Sequence, residues 1–227
     1  MFDGAEDDET GYGEKVSEAA KDHKQWGFTI LRCTYDSQTD WDAFLKRFLE
    51  DIDANLRFEW ETTLRPNFQF RVVEEPERLN NISWRQARAQ FTTLNVEDIR
   101  QSHPNVTDAE TKLLQRDTVE DNSGLPRPYR EYFIYADRDS VASVINCGRT
   151  WRDAQEPGNY YFTLVLALHK EVIASGYDGT SPLPCEEGEE EDWPMKRFKV
   201  DHFLEVYSLL LDYFWDDFHT KDDGICS

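Results

Sequence analysis

Six residues couple a reactive or charged side chain to a strand or strand-end position: Arg32, Tyr35, Arg71, Tyr135, Asp137 and His169. Strand side chains alternate, so Arg32 shares a face with Phe28 and Ile30, and Arg71 with Gln69 and Val73. By the same rule His169 ends a strand on the face of Thr163, Val165 and Ala167. A charge in a largely apolar strand is costly to bury unless it is paired. Arg32 and Arg71 must therefore face solvent or meet acids such as Glu74, Asp137 or Asp139. An open sheet face lined by Arg32, Tyr35, Arg71, Tyr135 and His169 would form a pocket for an anionic or polar aromatic ligand. His169 would be its proton-transfer group, because histidine titrates near neutral pH. The plainer reading is structural: edge positions and internal ion pairs that neutralise part of an acidic fold.

Other chemistry has less support. His202 and Glu205, and again Asp216 and His219, stand at i and i+3 on a helical pattern and could share a face. A carboxylate–histidine pair binds a metal only when more ligands converge, and no HExxH or CxxC spacing supplies them. The acidic run Glu186–Asp192 lacks the alternating oxygen positions of a calcium loop and reads as solvated charge. There is no Gly-x-Ser-x-Gly elbow, and Gly176-Tyr177-Asp178-Gly179 is not a phosphate-cradling fingerprint. No metal and no cofactor is expected.

The charge balance narrows the partners. The 227 residues carry 25 Lys+Arg against 46 Asp+Glu, a formal net charge of −21. Six acids lie between Asp3 and Glu14 and six between Glu186 and Asp192, with no base inside either run, which leaves −9 for the rest. Such a surface repels phosphate, so nucleic acid and anionic membranes are poor partners, and a basic protein is the natural one. With 14% aromatic residues the chain has the material for a sizeable core. Cys33, Cys147, Cys185 and Cys226 are scattered, and Cys33 and Cys147 sit among apolar neighbours. Together with an acidic opening, Met1–Glu6, unlike a signal peptide, and no long apolar run, this suggests the cytoplasm or nucleus.

The elements that would position these residues follow from periodicity. Residues 1–25 read as a disordered acidic lead-in, with at most a frayed helix over Glu14–Lys24. Gly27–Tyr35, Phe68–Val73, Glu131–Ala136 and Tyr160–His169 read as strands, the last nearly all apolar and so central. Trp41, Phe44, Leu45, Phe48, Leu49 and Ile52 form a helical stripe behind a Thr39 N-cap. Ser83-Trp84-Arg85-Gln86 is a capping box opening a helix to about Asn95, and Thr107–Glu110 opens another to about Arg116. Asp139 would cap a short helix carrying Val141, Val144 and Ile145. Residues 175–193 read as an acidic loop, followed by a long final helix from about Val200 to His219.

The order β-α-β-α(α)-β-α-β-α predicts an α+β, ferredoxin-like sandwich: about four strands in a mixed or antiparallel sheet, helices on one face, and one domain over 26–227.

Certain blocks carry a resemblance. They are Trp26-Gly27-Phe28-Thr29-Ile30-Leu31-Arg32 with Tyr35 and Asp40-Trp41, then Phe70-Arg71-Val72-Val73. Arg88 with Phe91, Phe133–Asp137 and the acidic-aromatic helix Phe203–Phe218 complete the set. Together they resemble a group of fungal intracellular proteins, over roughly Trp26 to Ile225. The resemblance implies a fungal origin and a single folded domain, and it carries no activity, cofactor or catalytic residue.

Two functions are in play. One is a non-enzymatic binding or interaction module whose acidic segments steer a basic protein partner. The alternative is a small cofactor-independent enzyme doing acid–base chemistry over the sheet with Arg32, Arg71 and His169.

Overall fold

The computed structural model describes residues 16–17, 26–60, 67–102, 104–107, 131–146, 160–167 and 195–211. Five strands form one mixed sheet: β1 (Thr29–Arg32), β2 (Arg71–Val73), β3 (Tyr132–Ala136), β4 (Tyr161–Leu166) and β5 (Met195–Lys199), in the order β2-β1-β3-β4-β5. β1 runs parallel to both β2 and β3, with Thr29 opposite Arg71 on one side and Phe133 on the other. β3–β4 and β4–β5 are antiparallel. The helices named among the described residues are α1 (Gln38–Trp60), α2 (Pro76–Leu79), α3 (Trp84–Ser102), α4 (Arg138–Asn146) and α5 (Phe203–Leu211), with the 3₁₀ turn Val200–His202 leading into α5.

α1 forms because Trp41, Phe44, Phe48 and Ile52 recur at helical spacing and are all buried against the sheet. Leu49, on the expected stripe, is 38% exposed, so the buried face is narrower than the pattern suggests. These side chains join Phe28 and Ile30 of β1, Phe162 of β4, Phe198 of β5 and Phe203 and Tyr207 of α5 in one core. A second core lies on the other face, where Ala87, Phe91 and Leu94 of α3 cover Leu31, Phe133, Tyr135 and Val165. Phe91 and Phe133 stack at 4.9 Å. Each such buried aromatic contributes roughly 1.5–3 kcal/mol.

Helices on both faces correct the expectation of helices on one. α3 is amphipathic enough to close the second face, so no open sheet surface remains over β1, β3 and β4. The sheet also departs from a ferredoxin-like arrangement. There the two strands of a βαβ unit are split by another strand; here β1 and β2 are direct parallel neighbours. β5, between the acidic loop and the final helix, escapes the sequence pattern. Three of its five residues are basic, and strand propensity is low for such residues.

Two caps sit elsewhere than expected. Ser37, not Thr39, receives the Asp40 N–H at 3.2 Å, and Asp137, not Asp139, receives the Ser140 N–H at 2.9 Å. Thr39 and Asp139, the expected caps, are each the second residue of their helix. The capping box holds: the Ser83 N–H donates to Gln86 Oε1 at 2.9 Å and the Gln86 N–H to Ser83 Oγ at 3.4 Å. α3 then continues to Ser102, beyond the expected Asn95. Val16, assigned to the lead-in, is fully buried in the first core, so packing reaches back before Trp26. The helix expected from Thr107, the acidic loop at 175–193 and the final helix past Leu211 lie outside the described residues.

Candidate functional site

The residues expected to line one pocket are divided between places. Arg32 is 2% exposed and points to the α1 side. Its Nε donates to the Thr34 carbonyl at 2.9 Å, and its Nη1 donates to Gln38 Oε1 at 2.8 Å and lies 3.6 Å from Glu74 Oε2. The guanidinium also stacks 4.3 Å from the Tyr35 ring and 4.9 Å from the Trp41 ring. Arg71 is part-exposed and forms a two-armed pair with Asp98 of α3, one arm at 3.0 Å. Tyr135, on the α3 side, donates its hydroxyl to the Ile82 carbonyl at 2.6 Å. Asp137 caps α4. His169 lies outside the described residues. The expected shared pocket is therefore not formed by the described members of the set: Arg32 and Tyr135 leave the sheet on opposite faces, and α3 occupies one of them.

Burial weakens the acids of this region by disfavouring their charged forms. It pushes the Tyr35 phenol up to about 12, an effect that Arg32 offsets in part, and it raises Tyr135 and Cys33 further still. All three remain protonated, and so uncharged, at neutral pH.

The topology points to a different place. From β1 the chain crosses to β2 at one edge, whereas β3 leads on to β4 and β5 at the other. The strand order thus switches direction between β1 and β3, and sheets of this kind bind ligands beyond the carboxyl ends of the strands at such a switch. α1 leaves from the end of β1 and α4 from the end of β3, and a cleft of about 260 Å³ lies between them. Thr34, Asp36, Ser37, Asp40 and Trp41 form one wall; Arg138, Val141, Ala142, Ile145 and Asn146 form the other. The apolar floor comes from α4, and the rim carries two exposed acids against one exposed arginine. Arg138 Nε is 3.8 Å from Asp36 Oδ2. Among the described residues Asp40 has no cationic partner.

Asp36, Asp40 and Arg138 are not among the site residues expected from the sequence. The available signal was the pair of short strand-to-helix turns, 33–37 and Asp137, which parallel pairing of β1 and β3 brings to one sheet end. Just past the carboxyl end of β5, His202 Nδ1 lies 2.7 Å from Glu205 Oε2, so this pair bonds internally. No group of three or more His, Cys, Asp or Glu with metal-holding geometry occurs among the described residues. No described helix is long and apolar enough to cross a membrane.

Comparison with protein-family models, with curated proteins and with solved structures finds no match to the chain.

Proposed function

We propose that the protein is a non-enzymatic binding module that captures a basic segment of a partner protein, with the α1–α4 cleft as its seat. One observation carries the reading: the concave site at the sheet's switch point has an apolar floor and an acid-dominated rim. The formal charge of −21 would steer a cationic partner toward it. An acid–base enzyme built on Arg32 and Arg71 is the weaker reading. Both guanidinia and the Tyr135 hydroxyl already hold internal partners.

The test is fluorescence anisotropy of a labelled Lys/Arg-rich peptide titrated with the full chain. Binding at low salt that weakens steeply as ionic strength rises supports the proposal, because exposed charges are screened over about 10 Å at 0.1 M. Absence of binding at low salt, or equal binding of an acidic peptide of the same length, overturns it.

A further inference from the structure

We infer that the α1–α4 cleft receives a single lysine side chain, its ammonium beside Asp40 and Asp36 and its methylenes along Val141, Ala142 and Ile145. The inference rests on the binding reading above and names what that site selects.

Size is the first argument. At about 260 Å³ the cleft falls just below the roughly 300–1,000 Å³ of pockets that enclose drug-sized molecules, which suits one long side chain. The second is the order of chemistry along the walls. α4 presents an aliphatic strip at i, i+1 and i+4, and the carboxylates stand opposite, at the start of α1. A lysine has this construction: an apolar stem that packs on hydrophobic surface and a charged head that stays at the wet rim.

Charge supplies the third. Acids in the first turn of a helix offset its dipole, which alone accounts for their presence. It does not account for their facing an aliphatic strip across a cleft. Asp36 is partly answered by Arg138, whereas Asp40 has no cation beside it among the described residues, so the lining as a whole is one charge short of neutral. One ammonium balances it.

Lysine is preferred to arginine for a geometric reason. A guanidinium draws part of its advantage over an ammonium from stacking on a free aromatic face. Among the described residues Trp41 is the only aromatic lining the cleft, and Arg32 already stacks 4.9 Å from its ring. A compact, rotatable ammonium needs no such face.

The experiment measures affinity of the full chain for the labelled basic peptide, for versions with its lysines acetylated one at a time, and for a version with every lysine replaced by arginine. Acetylation removes the charge and keeps the stem. Acetylating one particular lysine should weaken binding about tenfold, the scale of one charge-assisted contact. The all-arginine peptide should bind more weakly than the parent. Two variants locate the site: Ala142→Phe fills the cleft, and the exposed pair Asp36→Asn with Asp40→Asn neutralises its rim. Each should cost about tenfold in affinity. If Ala142→Phe does not fold by thermal melt, the rim variant decides alone. Wild-type binding with no loss in the rim variant, with no acetylation-sensitive lysine, or with equal affinity for the arginine peptide overturns the lysine site while leaving the acidic binding module standing. No binding of any basic peptide by the wild type overturns both.

Discussion

The guanidinium of Arg32 lies 4.9 Å from the centre of the Trp41 ring, and one carboxylate, Glu74, serves both residues. Glu74 accepts the Trp41 Nε1–H and stands 3.6 Å from Arg32 Nη1. The end of β1, the end of β2 and the first turn of α1 are thereby joined through one charged cluster. Arg32 could otherwise not remain 2% exposed, since an unpaired buried charge costs several kcal/mol.

Replacing Arg32 with alanine removes two hydrogen bonds and the packing between two rings. We expect a loss of about 2–3 kcal/mol by urea denaturation, less than for a fully buried pair because Glu74 is itself 41% exposed on its side chain. Arg32→Lys should recover only part, since an ammonium cannot serve Thr34, Gln38 and Glu74 in one plane.

Arg71 and Asp98 form the contrasting case. Their side chains are 32% and 42% exposed, so solvent screens the pair. A double-mutant cycle with Arg71→Ala and Asp98→Ala should return a coupling of about 0.5–1 kcal/mol, falling as salt rises.

Gly27 is held at φ +129°, a conformation L side chains rarely adopt, and a Cβ there would stand 2.6 Å from the Gln69 carbonyl oxygen. That contact lies where Trp26, an isolated bridge residue ahead of β1, meets the segment leading into β2, through the Gln69 N–H to Trp26 carbonyl bond at 2.9 Å. Gly27→Ala should cost about 1–3 kcal/mol, read as a lowered melting temperature with the circular-dichroism spectrum retained.

Alkaline pH should destabilise the fold. Burial raises Cys33 from its ordinary 9.0, and raises Tyr35 from 10.0 to about 12 and Tyr135 higher. A group with a raised folded-state pKa keeps its proton in the native chain where the unfolded chain has lost it. Its stabilisation is therefore complete below the ordinary value and declines as pH rises toward the folded value. Thermal melts at closely spaced pH should fall from about pH 9 to 12, and Tyr135→Phe should flatten part of that slope.

Local rules were readable in the chain. The stripe at Trp41, Phe44, Phe48 and Ile52 and the capping box at Ser83 and Gln86 each depend on residues within a few positions of one another, and each appears in the structure. Caps a residue or two away from their expected positions reflect competition among neighbouring polar side chains, which only the first-turn geometry resolves. β5 was hidden because its strand state depends on pairing with β4, where Phe198 meets Phe162, and not on its own basic composition.

By itself the sequence determined the α+β class, most of the elements, and the rule that Arg32 needs a partner if buried. It narrowed that partner to a few acids that included Glu74. Tertiary structure alone decided that α3 closes the second face of the sheet, that Arg32 and Tyr135 leave the sheet on opposite faces, and that two distant strand-to-helix turns share a cleft. The physical reason is range. Periodicity and capping are local, whereas strand order joins β1 to β3 across about a hundred residues, and no local pattern encodes which strand end a given helix will face.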